Sequence, residues 1–533
     1  MKRALLFATL MVAAPAAAQA QARYTNPILY ADYSDPDVIR VGRDYYLVAS
    51  SFHFSPGIPI LHSRDLVHWR ILGHVLPRLP FGPAFDLNGP QTLTDAISRP
   101  VGANARHAGG VWAPSIRHHD GLFHVYWATP DEGIFMATAR QPEGPWSAPV
   151  AVIAQPGLED PCPFWDDDGQ AWLIHGRVGA GPLILHRMSA DGRRVLDAGE
   201  IIAEDRVNLP ILEGPKLYKR NGYYYIFAPI GGVERGPQAV GRARGIRGPY
   251  EWRVVLEPGT THVPGPHQGG WVETPSGQGW FAHFNSTGAF GRIVHLQPLR
   301  WIDDWPVIGE PIPGRPAGQP VLTHAMPDTG SPPTADRLQD SDEFSSRRLG
   351  LQWSWNHNPV AGAWSLSRRP GWLRLTALPS DHFVTAHDTL TQILQGPRMT
   401  VTARIDVGNM VEGQRAGVAM FGVRPSWIGV VRANGENRVT LASAGVETAG
   451  PVLAGRLIEL RIAVGPEQTA THSYSVDGGR SFRPFGEAIP LARFSWWKGS
   501  RPALFSYVRP APRTEARRGW IDVDWFRVER PGG

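Results

Sequence analysis

The stretch Glu213–Ala228, EGPKLYKRNGYYYIFA, constrains the fold more than any other, because its pattern returns four more times within the first three hundred residues. An acidic residue and a proline lead into a short strand signal at Lys216–Tyr218. A polar tip with Gly222 follows, and then alternating aromatics run over Tyr223–Phe227. This reads as strand–turn–strand, with both halves apolar enough to be buried. The same grammar appears as DPDVIRVG then DYYLVAS from Asp35, WAPSIRHHDG then LFHVYWAT from Trp112, DPCPFWDDDG then QAWLIHG from Asp160, and HQGGWVETPSGQG then WFAHFNS from His267.

A repeat of roughly 40–55 residues holding two clear strands, with room for two more, is the signature of four-stranded propeller blades. Gly42, Gly121, Gly169, Gly222 and Gly277 mark the phase, with a longer insertion after the first. Stacked helices would need apolar residues every three to four positions, which these segments lack. The expectation is an all-β chain that begins with a five-bladed β-propeller. The strand nearest a propeller's axis comes early in each blade, so the heads of these strands should converge on one pocket. Counting back from the turn glycines gives Asp35, Trp112, Asp160, Glu213 and His267.

Composition fits a soluble globular protein. The 533 residues are 42% hydrophobic and 19% charged, enough for sizeable cores and two or three domains. The net charge of +5 rests almost wholly on scattered arginine, since there are four lysines. No basic run or basic–aromatic alternation of a nucleic-acid surface occurs, so no nucleic-acid partner is expected. Residues 1–20 combine Lys2 and Arg3, an apolar core and Ala18-Gln19-Ala20, which reads as a secretory signal peptide with export to the periplasm or the exterior. The apolar run is too short for a membrane span, and no membrane partner is expected. Cys162, the only cysteine, excludes an intramolecular disulfide and reads as a small buried residue behind Asp160.

The propeller is expected over residues 21–310. Residues 311–340, with PIPGRPAGQP and DTGSPPTAD, read as a Pro/Gly-rich linker. From Ser341 to the C-terminus, short alternating strands such as WLRLTAL, MTVTARIDV, LIELRIAV and WIDVDWFRV suggest an antiparallel β-sandwich.

The converging set suggests a chemistry. A glycosidic bond is cleaved by protonating the leaving oxygen on one side while water or a nucleophile attacks the anomeric carbon from the other, for which two carboxyl groups suffice. The acid must stay protonated near neutral pH, which needs burial or a nearby like charge. Glu213, with its longer reach and apolar setting, is assigned as the acid, Asp35 as the base and Asp160 as the residue that tunes Glu213. Trp112 offers a face for a sugar ring. Plainer readings exist residue by residue. Asp35-Pro36 and Asp160-Pro161 also suit turn starts, Asp166-Asp167-Asp168 suits a solvated hairpin tip, and His267 suits a core histidine bonded to backbone.

The motifs SDPDVIRVGRDYYLVASSF, GVWAPSI, EDPCPFWDDDGQAWLIHGR, LEGPKLYKRNGYYYIFAP and GRIVHLQPLRW together resemble glycoside hydrolase family 43, the exo-acting β-xylosidases and α-L-arabinofuranosidases. The resemblance spans Tyr24–Glu310, and the C-terminal part resembles the concanavalin-like sandwich that follows the propeller in those xylosidases. It implies Asp35 as general base, Asp160 as pKa modulator and Glu213 as general acid in an inverting hydrolysis of an oligosaccharide, with no required cofactor. It further implies Phe52 and Trp112 as aromatic lining, Arg292 as a hydrogen-bonding partner of the terminal pentose, and His267 as an axial histidine associated with an ion or water, often calcium. Two alternatives stand beside it: a propeller that binds carbohydrate without cutting it, and a retaining fructan-type hydrolase in which Asp35 attacks directly. Three carboxylates at matching phase disfavour the first, and the breadth of the motif match disfavours the second.

Overall fold

The computed structural model describes residues 22–87, 106–509 and 518–530, so the leader expected at residues 1–20 lies outside the described residues. The architecture is all-β, and the only helical segments among the described residues are three short 3-10 turns. No helix there is long and apolar enough to cross a membrane.

Five antiparallel four-stranded sheets form the propeller. In each, the strand closest to the axis is the first in sequence: Asp37–Val41, Trp112–His119, Leu158–Trp165, Lys216–Arg220 and His267–Glu273. The turns that set this phase carry their own chemistry. Asp120-Gly121 (φ 48° and 71°) and Asn221-Gly222 (φ 50° and 72°) have both central residues left-handed, as a tight two-residue hairpin turn requires. Asn, Asp and Gly adopt that backbone at least cost. The ring closes between the fifth and first blades. At Gly270 an added Cβ would lie 2.8 Å from both Asp37 Oδ1 and Val38 N, so only glycine lets the strands meet there. Arg117 and Asp37 form a buried ion pair at 2.6 Å near the axis. Cys162 is buried beside them and accepts from Arg117 Nη2 at 2.9 Å.

The proline- and glycine-rich stretch 311–340 is packed on the propeller. Glu310–Pro311 and Gly318–Gln319 extend the fourth blade, and Thr323–Ala325 pairs with Arg23–Thr25 at the start of the domain. Its glycines serve close approach as well as turning: a Cβ at Gly318 would stand 1.9 Å from Ile308 O.

The sandwich has two antiparallel layers. One is built around Gln414–Phe421, Ser426–Ala433 and Arg501–Val508, the other around Met399–Asp406, Leu457–Val464 and Trp520–Glu529. Val418, Ile428, Leu504, Ala403, Leu460 and Ile521 interleave in a fully buried core. The first layer does not stop at the domain edge. Its strand Ser354–Asn356 pairs with Phe54–Ser55, a two-residue strand that leaves the first blade. Phe54 and Ala108 of the propeller share an apolar cluster with Phe383, Phe421, Trp496 and Phe505 of the sandwich.

Backbone pairing plus a shared core makes the junction part of the fold. At about 25 cal/mol per Å2, exposing several large apolar side chains there would cost many kcal/mol. A chain ending at Glu310 is therefore expected to be insoluble or to lose at least nine-tenths of its turnover, measured as soluble yield and kcat. A soluble, fully active propeller would overturn this account of the junction.

Candidate active site

One backbone feature recurs at the head of every axial strand. Asp35 (φ 55°), Ala113 (30°), Asp160 (57°), Gly214 (60°) and Gln268 (40°) all take left-handed backbone, one per blade. In the second, third and fifth blades the strand register shifts at this point. Each non-glycine residue held so costs on the order of 1–2 kcal/mol. The bulge turns the local side chains off the strand and into the mouth of the ring. In the first and third blades the left-handed residue is itself the carboxylate. In the second, fourth and fifth blades the functional candidate comes one residue earlier, as Trp112, Glu213 and His267. By this register the partner of Glu213 in the third blade is Glu159, which counting from the turn glycines does not reach.

The resulting pocket has a volume of about 590 Å3 and is lined by Asp35, Glu159, Asp160, Glu213, Phe52, Trp112 and Arg292, closed on one side by Trp497 from the sandwich. Six of the seven residues expected at the site from the sequence therefore line one cavity. His267 lies just behind the wall, fully buried, with Nε2 3.1 Å from Glu213 Oε1. Glu159 was not expected, because the bulge register hides it. Trp497 comes from the sandwich, whose apolar content, with Trp496-Trp497 in its aromatic strands, leads one to expect it to pack on the propeller and lend a loop to the pocket rim.

The three catalytic candidates have different surroundings. Asp35 receives Arg292 Nη1 at 2.7 Å on Oδ1 and the Ser50 hydroxyl at 2.5 Å on Oδ2. Two donors, one of them cationic, suit an ionised carboxylate. Ser50 is fixed in turn, because its oxygen accepts from Ala113 N at 2.7 Å. Arg292 thus holds Asp35, while its guanidinium lies 5.5 Å from the centre of the Trp497 ring.

Asp160 and Glu159 have no such cation. One carboxyl oxygen of each and one of Glu213 lie within 4.8 Å of one another. Burial, and then the negative charges of Glu213 and Asp35, raise Asp160 from 3.8 to about 7, against the opposing hydrogen bond from Gly214 N at 2.7 Å. Burial, and then Asp160 and Glu213, hold Glu159 well above the ordinary carboxylate range. Ala180 N donates to Glu159 Oε1 at 3.3 Å.

Glu213 is the most exposed of the three assigned carboxylates, its side chain 17% accessible. The contact between His267 Nε2 and Glu213 Oε1 needs one proton between the two atoms, whichever of them carries it. The other ring nitrogen of His267 faces Gly236 O at 3.4 Å. Phe52 and Trp112 form the aromatic wall with ring centres 6.0 Å apart, and Trp112 meets Trp497 edge-on at 6.0 Å. Phe52 is anchored by paired backbone hydrogen bonds to Val111, and Trp112 by its indole N–H on Ala108 O at 2.7 Å.

Among the described residues, two groups have the spacing to hold a cation: Glu159, Asp160 and Glu213 in the pocket, and His53, His107 and His357 at the domain junction. His267 belongs to neither.

The sequence profile of glycosyl hydrolases family 43 matches residues 24–306, and that of the beta xylosidase C-terminal concanavalin A-like domain matches 341–529. A protein of Xylanibacter ruminicola, provisionally named a β-xylosidase, is 42% identical over 93% of this chain and 88% of its own. A non-reducing end α-L-arabinofuranosidase of Bacteroides ovatus is 30% identical over 79% of this chain and 76% of its own. Among solved structures, a bifunctional GH43-CE protein of Bacteroides eggerthii superposes with a TM-score of 0.82 at 29% identity. It covers 96% of this chain, which spans 64%, less than two thirds, of that one. With four carboxyl groups in one propeller pocket and both profiles matched in order, the chain belongs to glycosyl hydrolases family 43.

Proposed function

We propose that the protein removes non-reducing-end pentose, as a β-xylosidase or α-L-arabinofuranosidase, from xylan- or arabinan-derived oligosaccharides by inverting hydrolysis. The observation that carries this reading is the separation of roles among carboxylates in one pocket. Asp35 in the first blade is held by an arginine and a hydroxyl, whereas Glu213 in the fourth blade lies 3.1 Å from His267 Nε2. The first and fourth blades are not neighbours in the ring, so base and acid approach a bound sugar from different sides. A sugar seated between them would place water against Asp35 and the glycosidic oxygen against Glu213. As the water attacks the anomeric carbon its proton passes to Asp35, while Glu213 protonates the departing oxygen. Phe52 and Trp112 supply a face for the ring, and the wall at Trp497 favours a chain end over a mid-chain sugar. The names of the relatives support the pentose, and the non-reducing end is the position named for the Bacteroides ovatus protein.

The ion expected at His267 does not suit this geometry. One ring nitrogen faces the carboxylate of Glu213 and the other a carbonyl, and an ion would displace one of those contacts. Exhaustive chelation should leave kcat unchanged; a loss restored by calcium would reinstate the ion.

Two further outcomes follow. Asp35→Asn and Glu213→Gln should each lower kcat at least 10³-fold on natural oligosaccharides. Glu213→Gln should lose far less on aryl pentosides, whose leaving groups need little protonation. Proton NMR should show the inverted anomer forming first. A retained product would make Asp35 a nucleophile and favour the fructan-type alternative.

The second outcome concerns stability. Asp160 binds its proton more tightly in the folded chain than in the unfolded one, so the stability it contributes is complete below about pH 4. That contribution is lost as the pH rises through about 7. Asn at this position cannot titrate. Between pH 5 and pH 8 the native chain should therefore lose about 2 kcal/mol more than Asp160→Asn does, read from urea denaturation at the two pH values. Equal losses would mean that Asp160 is not held protonated.

A further inference from the structure

Residues Phe494–Ser500 of the sandwich reach across to the first blade through a turn of unusual composition. Ser495 and Lys498 exchange two backbone hydrogen bonds of 3.0 Å, so Trp496 and Trp497 form the whole turn between them. Both have left-handed backbone, at φ 56° and 67°. Two bulky residues in that region are strained, and such strain persists where surrounding contacts over-determine it. The contacts are on the page. Trp496 is buried and stacks on His107 of the propeller at 4.3 Å, and Trp497 lines the pocket. Gly499 passes so close to the fifth blade that a Cβ would lie 2.6 Å from Ala289 O.

Lys498 is the third residue this turn delivers. Its side chain is 1% accessible, and its ammonium donates to Asp32 O at 3.0 Å, Ser34 Oγ at 3.1 Å and Ser50 O at 3.1 Å, with Asp32 Oδ2 at 3.4 Å. All of these acceptors belong to the two segments that carry and brace the base. Ser34 precedes Asp35, and Ser50 donates its hydroxyl to Asp35 Oδ2. Asp32 also accepts from the backbone of Arg292, whose guanidinium holds Asp35 Oδ1, and from Gly499 N at 2.8 Å. An ammonium has three protons, and here the two carbonyls and one hydroxyl take all three.

We infer that Lys498 is a positioning residue for the catalytic base: through this one side chain the sandwich fixes the Asp32–Asp35 and Ser50 segments, and so sets where Asp35 meets the attacking water. The inference rests on Asp35 being the base. Burial pulls Lys498 down to about 8, so the ammonium form prevails at neutral pH, opposite Asp32 and within the fields of Asp35, Arg292 and Arg501. The propeller brings the reacting groups, and the sandwich holds one of them in register.

The test uses the full chain and an aryl pentoside. Lys498→Met keeps the length and removes the donors. It should lower kcat about 10²-fold, the scale of a 1 Å misplacement, with KM within about threefold of the native value. Azide gives the reading that a merely structural role would not move. Its terminal nitrogen bonds to the anomeric carbon as the carbon–oxygen bond breaks and aryloxide leaves, and it needs no base. Azide should therefore restore turnover of Lys498→Met as it should for Asp35→Ala, releasing the glycosyl azide. Ser34→Ala, which removes one acceptor and disturbs packing little, should lower kcat about fivefold at constant KM, and so serves if Lys498→Met does not fold. The inference is overturned if both variants that fold keep native kcat, or if lost turnover follows only the lost folded fraction and azide restores none of it. Full activity in Asp35→Asn would instead remove the underlying assignment of the base.

Discussion

Five left-handed residues, one at the head of each axial strand, are the constraint on which the site depends. A regular strand sends successive side chains to opposite faces, so an unbroken ring of such strands would leave the mouth with one side chain per blade at a fixed spacing. The bulge breaks that rule at one level of the ring. It lets Glu159 and Asp160, adjacent in sequence, both line the pocket, and it brings the Gly214 N–H round onto Asp160. A Cβ at residue 214 would stand 2.7 Å from the Gln268 side chain, so glycine there answers a close approach as well as a dihedral angle. The other four positions hold Asp, Ala, Asp and Gln in a backbone that each adopts at a cost. The blade cores around them, with Ile116, Ile174, Ile226 and Phe281 fully buried, are what hold it.

The same bulge creates an electrostatic conflict that the pocket resolves unevenly. Four carboxyl groups share one cavity. Only Asp35 is given a cation at hydrogen-bonding distance, and only Glu213 is given an imidazole. Glu159 and Asp160 face each other and Glu213 in a buried setting, so they retain protons at a pH where an exposed carboxylate would not. Two neutral acids beside Glu213 keep the local negative charge of the pocket low.

Much of this was legible in the sequence. The five turn glycines and the alternating aromatics set the phase of the five blades, because a glycine turn and a period of two are local signals. Residues at the heads of the axial strands then had to converge, whatever their detailed geometry. Glu159 was lost because a bulge shifts register by one, and no hydrophobic pattern records that shift. The prolines and glycines of residues 311–340 read as a linker because those residues mark close packing and loose chain alike. Gly318, pressed against Ile308 O, belongs to the former. The aromatic strands around Trp496-Trp497 pointed to docking at the pocket rim, but the contacts that Trp497 and Lys498 make there were beyond reach for a different reason. Their partners lie more than two hundred residues away, and only the docked domains bring them together.

That docking changes what the domain boundary means. A strand pair, a shared aromatic cluster and a buried lysine cross the junction, and each acts on the same short region of the first blade. Phe52 lies in the pocket wall, Phe54 enters the sandwich layer, and Ser50 takes Lys498, so alternate residues over five positions serve the site, the junction or both. A loop held on both sides in this way has little freedom to move Asp35. The left-handed Trp496-Trp497 turn is the complementary half of that arrangement. Its strained backbone is tolerable only while Trp496 sits against His107 and Lys498 beneath Asp32, so the turn can hold this shape only when the propeller is already in place.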